Sequence, residues 1–143
     1  MGWREWLAIP TLGIDRIKAK VDTGARSSAL HAFDMVEERV DGCDMVRFRV
    51  HTLQRRSLPV VEARAPLIDR RHVRSSSGAR ELRPVVLATV LLGETRWEIE
   101  LTLTDRSPMG FRFLLGRQAV RRRFLIDAGR SYLQSTRTEL RQA

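Results

Sequence analysis

The chain has 143 residues, 43% of them hydrophobic, a formal net charge of +9 and a pI near 11.3. That length fits one domain with a real core, and the apolar content excludes a disordered chain. Strong positive charge points to an anionic partner, which leaves nucleic acid, a membrane surface or an acidic substrate. Lysine occurs only at Lys18 and Lys20, so nearly all the positive charge is arginine, which suits carboxylate or phosphate recognition and equally fits a compositional bias.

Leu7–Pro10 reads as a short first strand preceded by Trp3 and Trp6, and Leu12–Asp15 turns into a second strand. Ile17, Ala19 and Val21 alternate there with Arg16, Lys18 and Lys20, the period of a half-buried strand. Asp22-Thr23-Gly24 ends it, and an extended pattern resumes at Ser28 and runs on, bulged, to Val40. Asp41-Gly42 is a hairpin signal with Met45–Val50 as its return strand. Leu58–Ala63 and Leu67–Val73 are two more strand candidates, followed by a polar loop from Arg74 to Arg80. Leu82–Leu92 and Trp97–Leu103 form a hairpin turning at Gly93-Glu94, then Asp105–Gly110 is a loop and Phe111–Leu115 a strand. Arg117–Phe124 is the one convincing helix; Leu125-Ile126 and Tyr132-Leu133 are short closing strands, and the tail from residue 137 frays. The pattern predicts one all-β domain over residues 1–143, a small closed or partly open barrel with a short C-terminal helix.

Asp is unfavourable inside a strand, and no bulky residue after Asp22 covers it. The loop therefore presents a carboxylate held by backbone N–H groups. A plain hairpin turn fits the tripeptide alone equally well, since Asp and Gly are common turn residues.

The order of further motifs decides between them. Lys20–Arg26, Ser28–Ala32, Ser76-Ser77-Gly78, Glu81–Val85, Leu103–Met109 and Leu114-Leu115-Gly116-Arg117 follow one another along nearly the whole chain, after Gly2–Trp6. This set resembles the bacterial retropepsin-like aspartic endopeptidases, often labelled ATP-dependent zinc proteases. The resemblance implies a retropepsin-type barrel with Asp22, Thr23 and Gly24 as the catalytic loop. Thr23 would brace the dimer interface, Gly24 would admit substrate backbone, and Ala25 would pack beneath. Leu115 and Gly116, leading into Arg117, would form the ψ-shaped crossing that positions Asp22. Viral relatives carry an acidic residue where this chain has Arg26, so Arg117 needs another partner, for which Asp105 is the candidate. Val73–Arg83 is the flap candidate, and Ser76, Ser77, Gly78, Arg80, Arg26 and Arg106 are candidate substrate contacts.

Aspartic peptidases need two carboxylates that share one proton: the ionised one activates water, and the protonated one stabilises the oxyanion. One Asp-Thr-Gly per chain implies a twofold homodimer, the commonest oligomer symmetry, and an inactive monomer. Leu125-Ile126-Asp127-Ala128-Gly129 is the internal rival for the second carboxylate. Trp3, Trp6, Tyr132 and Leu133 are candidates for a dimer sheet, as in related folds. Genes of the family often lie beside glutamate ligases of the ATP-grasp type, which with the basic flap implies an acidic or glutamate-tailed protein or peptide substrate.

No cofactor and no metal is expected, whatever the family label says. The sequence contains no His-Glu-x-x-His and no phosphate loop, and the spacing of His31, His51, His72 and Cys43 fits no standard zinc pattern. Cys43 reads as a buried or hairpin-edge thiol. A non-catalytic basic module for peptide or nucleic acid is the alternative, with Arg55-Arg56, Arg70-Arg71 and Arg121–Arg123 as phosphate contacts. An aromatic content of 6% without a recognition motif argues against nucleic acid. A single cysteine and no apolar leader or span predict a cytoplasmic protein without membrane contact.

Overall fold

The computed structural model describes residues 2–53, 59–74, 78–105 and 111–120. Among these residues nine strands run β1 Arg4–Ile9, β2 Ile14–Asp22, β3 Ser28–His31, β4 Phe33–Val40, β5 Cys43–His51, β6 Val60–Arg74, β7 Arg80–Leu92, β8 Thr95–Thr104 and β9 Phe113–Gly116. A short helix, α1, spans Arg117–Val120, within the range the sequence predicts. Their order in the sheet is β1-β2-β9-β3-β8-β7-β6-β5-β4, and β1 also pairs with β7 through Ala8 and Leu91. That last pairing closes β1, β2, β9, β3, β8 and β7 into a six-stranded barrel. The other three strands extend from β7 as an antiparallel ribbon. The all-β expectation, a small barrel with one short helix, is met.

Alternation along the strands fills the barrel. Ile17, Ala19 and Val21 of β2, Leu30 of β3, Val86, Ala88 and Val90 of β7, Leu101 and Leu103 of β8, and Phe113 and Leu115 of β9 belong to one buried cluster. Each large side chain buried there is worth roughly 1.5–3 kcal/mol. The exposed ion pairs on the ribbon, Arg64–Glu38 and Arg49–Asp34 among them, are worth about 1 kcal/mol or less apiece. Apolar burial, not surface charge, holds the barrel.

The turns follow the sequence. Asp41 and Gly42 sit at φ 50° and 80°, both left-handed, as a two-residue hairpin of this twist requires. The bulge expected before Val40 lies between Phe33 and Val36, with Asp34 at φ 51°. One expectation changes: the two strands predicted over Leu58–Ala63 and Leu67–Val73 are the single 15-residue β6. Its first half pairs with β5 up to Pro66 and its second half pairs with β7, after a register shift between Leu67 and Asp69. One continuous strand thus joins the ribbon to the barrel strand β7 without a turn. Helix residues after Val120, the closing strands, Asp127, Tyr132 and Leu133 lie outside the described residues.

Candidate active site

β9 is inserted between β2 and β3. It runs parallel to β2, with Asp22 opposite Gly116, and antiparallel to β3, with Ala29 opposite Leu114. The chain leaving β2 at Asp22 must therefore pass over the end of β9 to enter β3, a ψ-shaped crossing. Gly116 is required at the crossing. A Cβ there would stand 2.5 Å from the backbone C and O of Ser27 and 2.9 Å from the Arg26 carbonyl oxygen.

The loop is held by its own backbone. The Gly24 N–H donates to Asp22 Oδ1 at 3.0 Å, the local bond an Asp makes two residues ahead. The Ala25 N–H donates to the Asp22 carbonyl at 3.2 Å, closing the turn. From the far side of the crossing, the Arg117 and Gln118 N–H groups donate to the carbonyls of Ala25 (2.8 Å) and Arg26 (3.2 Å). The Gly116 N–H donates to the buried Ser28 Oγ at 3.0 Å, and Thr102 Oγ1 donates to the Ser28 carbonyl at 3.0 Å. Trp97 Nε1 donates to the Ala119 carbonyl at 3.0 Å and so ties α1 to β8. Asp22 is half-buried, with Thr23 and Gly24 exposed at the tip. A carboxylate thus emerges from a loop pinned at both ends.

Alternation assigns the other residues of its face. Val21, Leu30, Phe113 and Leu115 point into the core, so Lys20 and Asp22, Ala29 and His31, and Arg112 and Leu114 point the other way. Thr102 and Thr104 of β8 and Val85 and Arg83 of β7 continue this second face, by register with Ala29, His31 and one another. There Thr104 Oγ1 donates to Glu81 Oε1 at 3.1 Å, and Glu81 pairs with the buried Arg83 at 3.3 Å. At its far end the His31 N–H donates to the Arg112 carbonyl at 2.8 Å, and Arg112 Nη1 lies 2.9 Å from His31 Nδ1.

The flap candidate is the β6–β7 hairpin, whose last rung pairs Arg74 with Arg80. Gly78 and Arg80 are exposed, Gly78 at φ 86°; Ser76, Ser77 and Arg106 lie outside the described residues. Arg71, lower on the hairpin, is pinned by Asp69 and Glu100, both at 2.8 Å, while Arg74, Arg80, Arg26 and Arg117 have no carboxylate within ion-pairing distance among the described residues. Arg117 is exposed and does not pair with Asp105, whose carbonyl instead lies 3.0 Å from His31 Nε2. A pocket of about 320 Å³ lies on the other flank of the loop, lined by Ser27, Ser28, Arg71, Glu100 and Gln118 among others. Cys43 is exposed at the start of β5, a hairpin-edge thiol. Trp6, a candidate for the dimer sheet, is buried between Arg16 and Lys18, while Trp3 meets Phe111 edge-on at 6.4 Å. The roles of Ser28 and of the His31–Arg112 pair were not foreseen: the Ser28–Ala32 motif names no partner for Ser28 or His31, and the partners follow only from the β3–β9 register.

A family model described as the retropepsin-like aspartic endopeptidase RimB matches residues 1–137. The chain belongs to the RimB-like family. Its relatives include a Probable alpha-L-glutamate ligase from Shewanella pealeana, 39% identical over 140 residues, 98% of this chain and 31% of that protein. Another, from Parasynechococcus marenigrum, is 45% identical over 127 residues, 89% of this chain and 27% of that protein. The RimB-like chain therefore spans less than a third of the length of these relatives. The crystal structure of protein Lpg0085, of unknown function, from Legionella pneumophila superposes with a TM-score of 0.75 at 26% identity, covering 93% of this chain and 95% of that one.

Proposed function

We propose that the protein is a dimer-dependent aspartic peptidase in which Asp22 of each subunit supplies one carboxylate of the dyad. The observation that carries this reading is Asp22 itself. It is a half-buried carboxylate at the start of the loop that crosses β9, oriented by the Gly24 N–H, and that loop packs on Gly116 at Arg26 and Ser27. Two such loops facing across a twofold axis would share one proton between them. The ionised carboxylate takes a proton from water as the water oxygen bonds to the peptide carbonyl carbon. The protonated carboxyl hydrogen-bonds the carbonyl oxygen and stabilises the tetrahedral intermediate. Transfer of a proton to the amide nitrogen then lets the C–N bond break, leaving an acid and an amine. Exposed Thr23 and Gly24 would meet their partners at the axis.

The substrate is an acidic, glutamate-tailed protein or peptide. Support comes from exposed Arg26, Arg74, Arg80 and Arg117, each without a carboxylate partner among the described residues, and from relatives that carry the same domain within proteins named as glutamate ligases. A glutamate ligase of the ATP-grasp type would be the functional neighbour, making in the cytoplasm the chains this protein shortens.

The test is cleavage of a glutamate-tailed peptide and a mixed peptide library by the wild-type protein and by Asp22→Asn, with and without a metal chelator. Activity per mole that rises with protein concentration, disappears in Asp22→Asn and ignores the chelator is expected. Cleavage that survives Asp22→Asn would overturn the mechanism, and binding without cleavage by a confirmed dimer would favour a binding module.

A further inference from the structure

His31 and Arg112 are register partners on the face that carries Asp22. The β3–β9 ladder pairs Ala29 with Leu114 and Leu30 with Phe113, and the His31 N–H···O=C Arg112 bond is its next rung. A guanidinium can only donate hydrogen bonds, so His31 Nδ1 accepts from Arg112 Nη1. His31 Nε2 then carries the ring proton and donates to the Asp105 carbonyl. Arg112 Nε reaches the Leu53 carbonyl at 3.5 Å. The neutral imidazole thus fixes the plane of a guanidinium four residues along β9 from Gly116, roughly 13 Å at 3.3 Å per residue.

We propose that Arg112 reads a carboxylate side chain of the substrate away from the scissile bond, and that neutral His31 is the positioning residue that aims it. The proposal rests on the peptidase reading above and adds the groups that recognise the acidic substrate. A planar, always-charged fork suits a carboxylate better than a lysine would. Protonated His31 cannot accept from Arg112: both ring nitrogens become donors, and two cations face each other at 2.9 Å. Among the described residues, the charged or titratable groups facing the ring are Arg112 from the β9 lead-in, His51 stacked on it from β5 at 6.2 Å, and Asp105 after β8. Burial, then Arg112, holds the imidazole below its ordinary 6.5, and the Asp105 carbonyl opposes them only in part. The clamp is therefore set at neutral pH and released in acid, where glutamate side chains remain ionised, since their ordinary pKa is about 4.3.

The experiment measures both cleavage and binding of a glutamate-containing peptide and its glutamine counterpart between about pH 5.5 and 7.5, the range in which an ordinary histidine titrates. Cleavage uses the active protein and binding uses Asp22→Asn, read by fluorescence anisotropy. The readout is the ratio of acidic to neutral peptide, which changes in the dyad leave untouched. Wild type should lose the ratio as pH falls, and Arg112→Gln should lower it about tenfold at neutral pH. His31→Gln can accept from Arg112 and donate to Asp105 without titrating, so it should keep the ratio and flatten its pH dependence. A merely structural His31 would move both peptides together. An unchanged ratio in Arg112→Gln, persistent pH dependence in His31→Gln, or binding of neither peptide by Asp22→Asn would overturn the proposal. Selective, His31-dependent binding with no cleavage by the wild-type protein would instead uphold the clamp and remove the peptidase reading.

Discussion

Gly116→Ala tests whether the crossing, and not the Asp-Thr-Gly loop alone, builds the site. The new methyl would lie 2.5 Å from the Ser27 backbone and 2.9 Å from the Arg26 oxygen, and neither is the flexible end of a side chain. Relief requires the loop to lift away from β9. Overpacking of this kind costs roughly 1–3 kcal/mol. Lifting the loop also stretches Arg117 N–H···O=C Ala25, Gln118 N–H···O=C Arg26 and Gly116 N–H···Oγ Ser28, each worth about 1 kcal/mol net. Overpacking at the low end of that range, with the three bonds weakened and not lost, gives about 3 kcal/mol, or about 10 °C in Tm for a domain of this size. Thermal unfolding followed by circular dichroism measures it, beside peptide cleavage at a temperature where the variant is folded. Both stability and activity should fall, because the displaced loop carries Asp22. A Tm within about 2 °C of wild type, less than 1 kcal/mol on the same scale, would refute the argument that backbone contact at the crossing fixes the loop.

Ser28→Ala removes the acceptor of the buried Gly116 N–H and should cost about 1–3 kcal/mol in urea unfolding, the penalty for an unpaired buried donor. Glu81→Ala leaves the buried Arg83 without its carboxylate; because Glu81 is itself partly exposed, a loss of about 2 kcal/mol is expected, below the value for a fully buried pair, and Glu81→Gln should recover part of it. His31 is held below 6.5 in the folded chain, so the unfolded chain binds more protons between the two titrations and stability falls as pH drops below 6.5. Urea midpoints at pH 7.5 and 5.5 should differ less in His31→Gln than in wild type. Glu37→Gln breaks the exposed pair with Arg70 across the ribbon and should change stability in urea unfolding only slightly, with the difference shrinking in high salt.

The elements most legible in the sequence were those whose local chemistry agrees with the final fold. Ile17, Ala19 and Val21 alternate because one face of β2 is core, and Asp41-Gly42 announces a turn needing two left-handed residues. The gap between Leu58–Ala63 and Leu67–Val73 falls at Arg64-Ala65-Pro66, where a proline reads as a break, yet the strand runs on through it and its register shift comes only between Leu67 and Asp69. Arg117 was given Asp105 as a partner because charge complementarity is all that a sequence offers. The fold instead turns that loop so that the Asp105 carbonyl meets His31.

The unforeseen parts of the site share one cause. Ser28, His31 and Leu114 stand in motifs that name no partner for them, and Arg112 stands in none. His31, Arg112 and Leu114 share one face with Asp22, the first two at its far end, and Ser28 meets Gly116 at the loop, only because β9, distant in sequence, enters between β2 and β3. A motif can place a carboxylate on a loop, because Asp and Gly act on backbone within two or three residues. It cannot say what faces that carboxylate, since the opposing strand arrives from more than 80 residues away, as the span of the His31–Arg112 contact shows. The same insertion makes recognition and stability inseparable here. The rung that continues the β3–β9 ladder also joins His31 to Arg112, so acid that protonates His31 should weaken the end of the ladder and the grip on a carboxylate together.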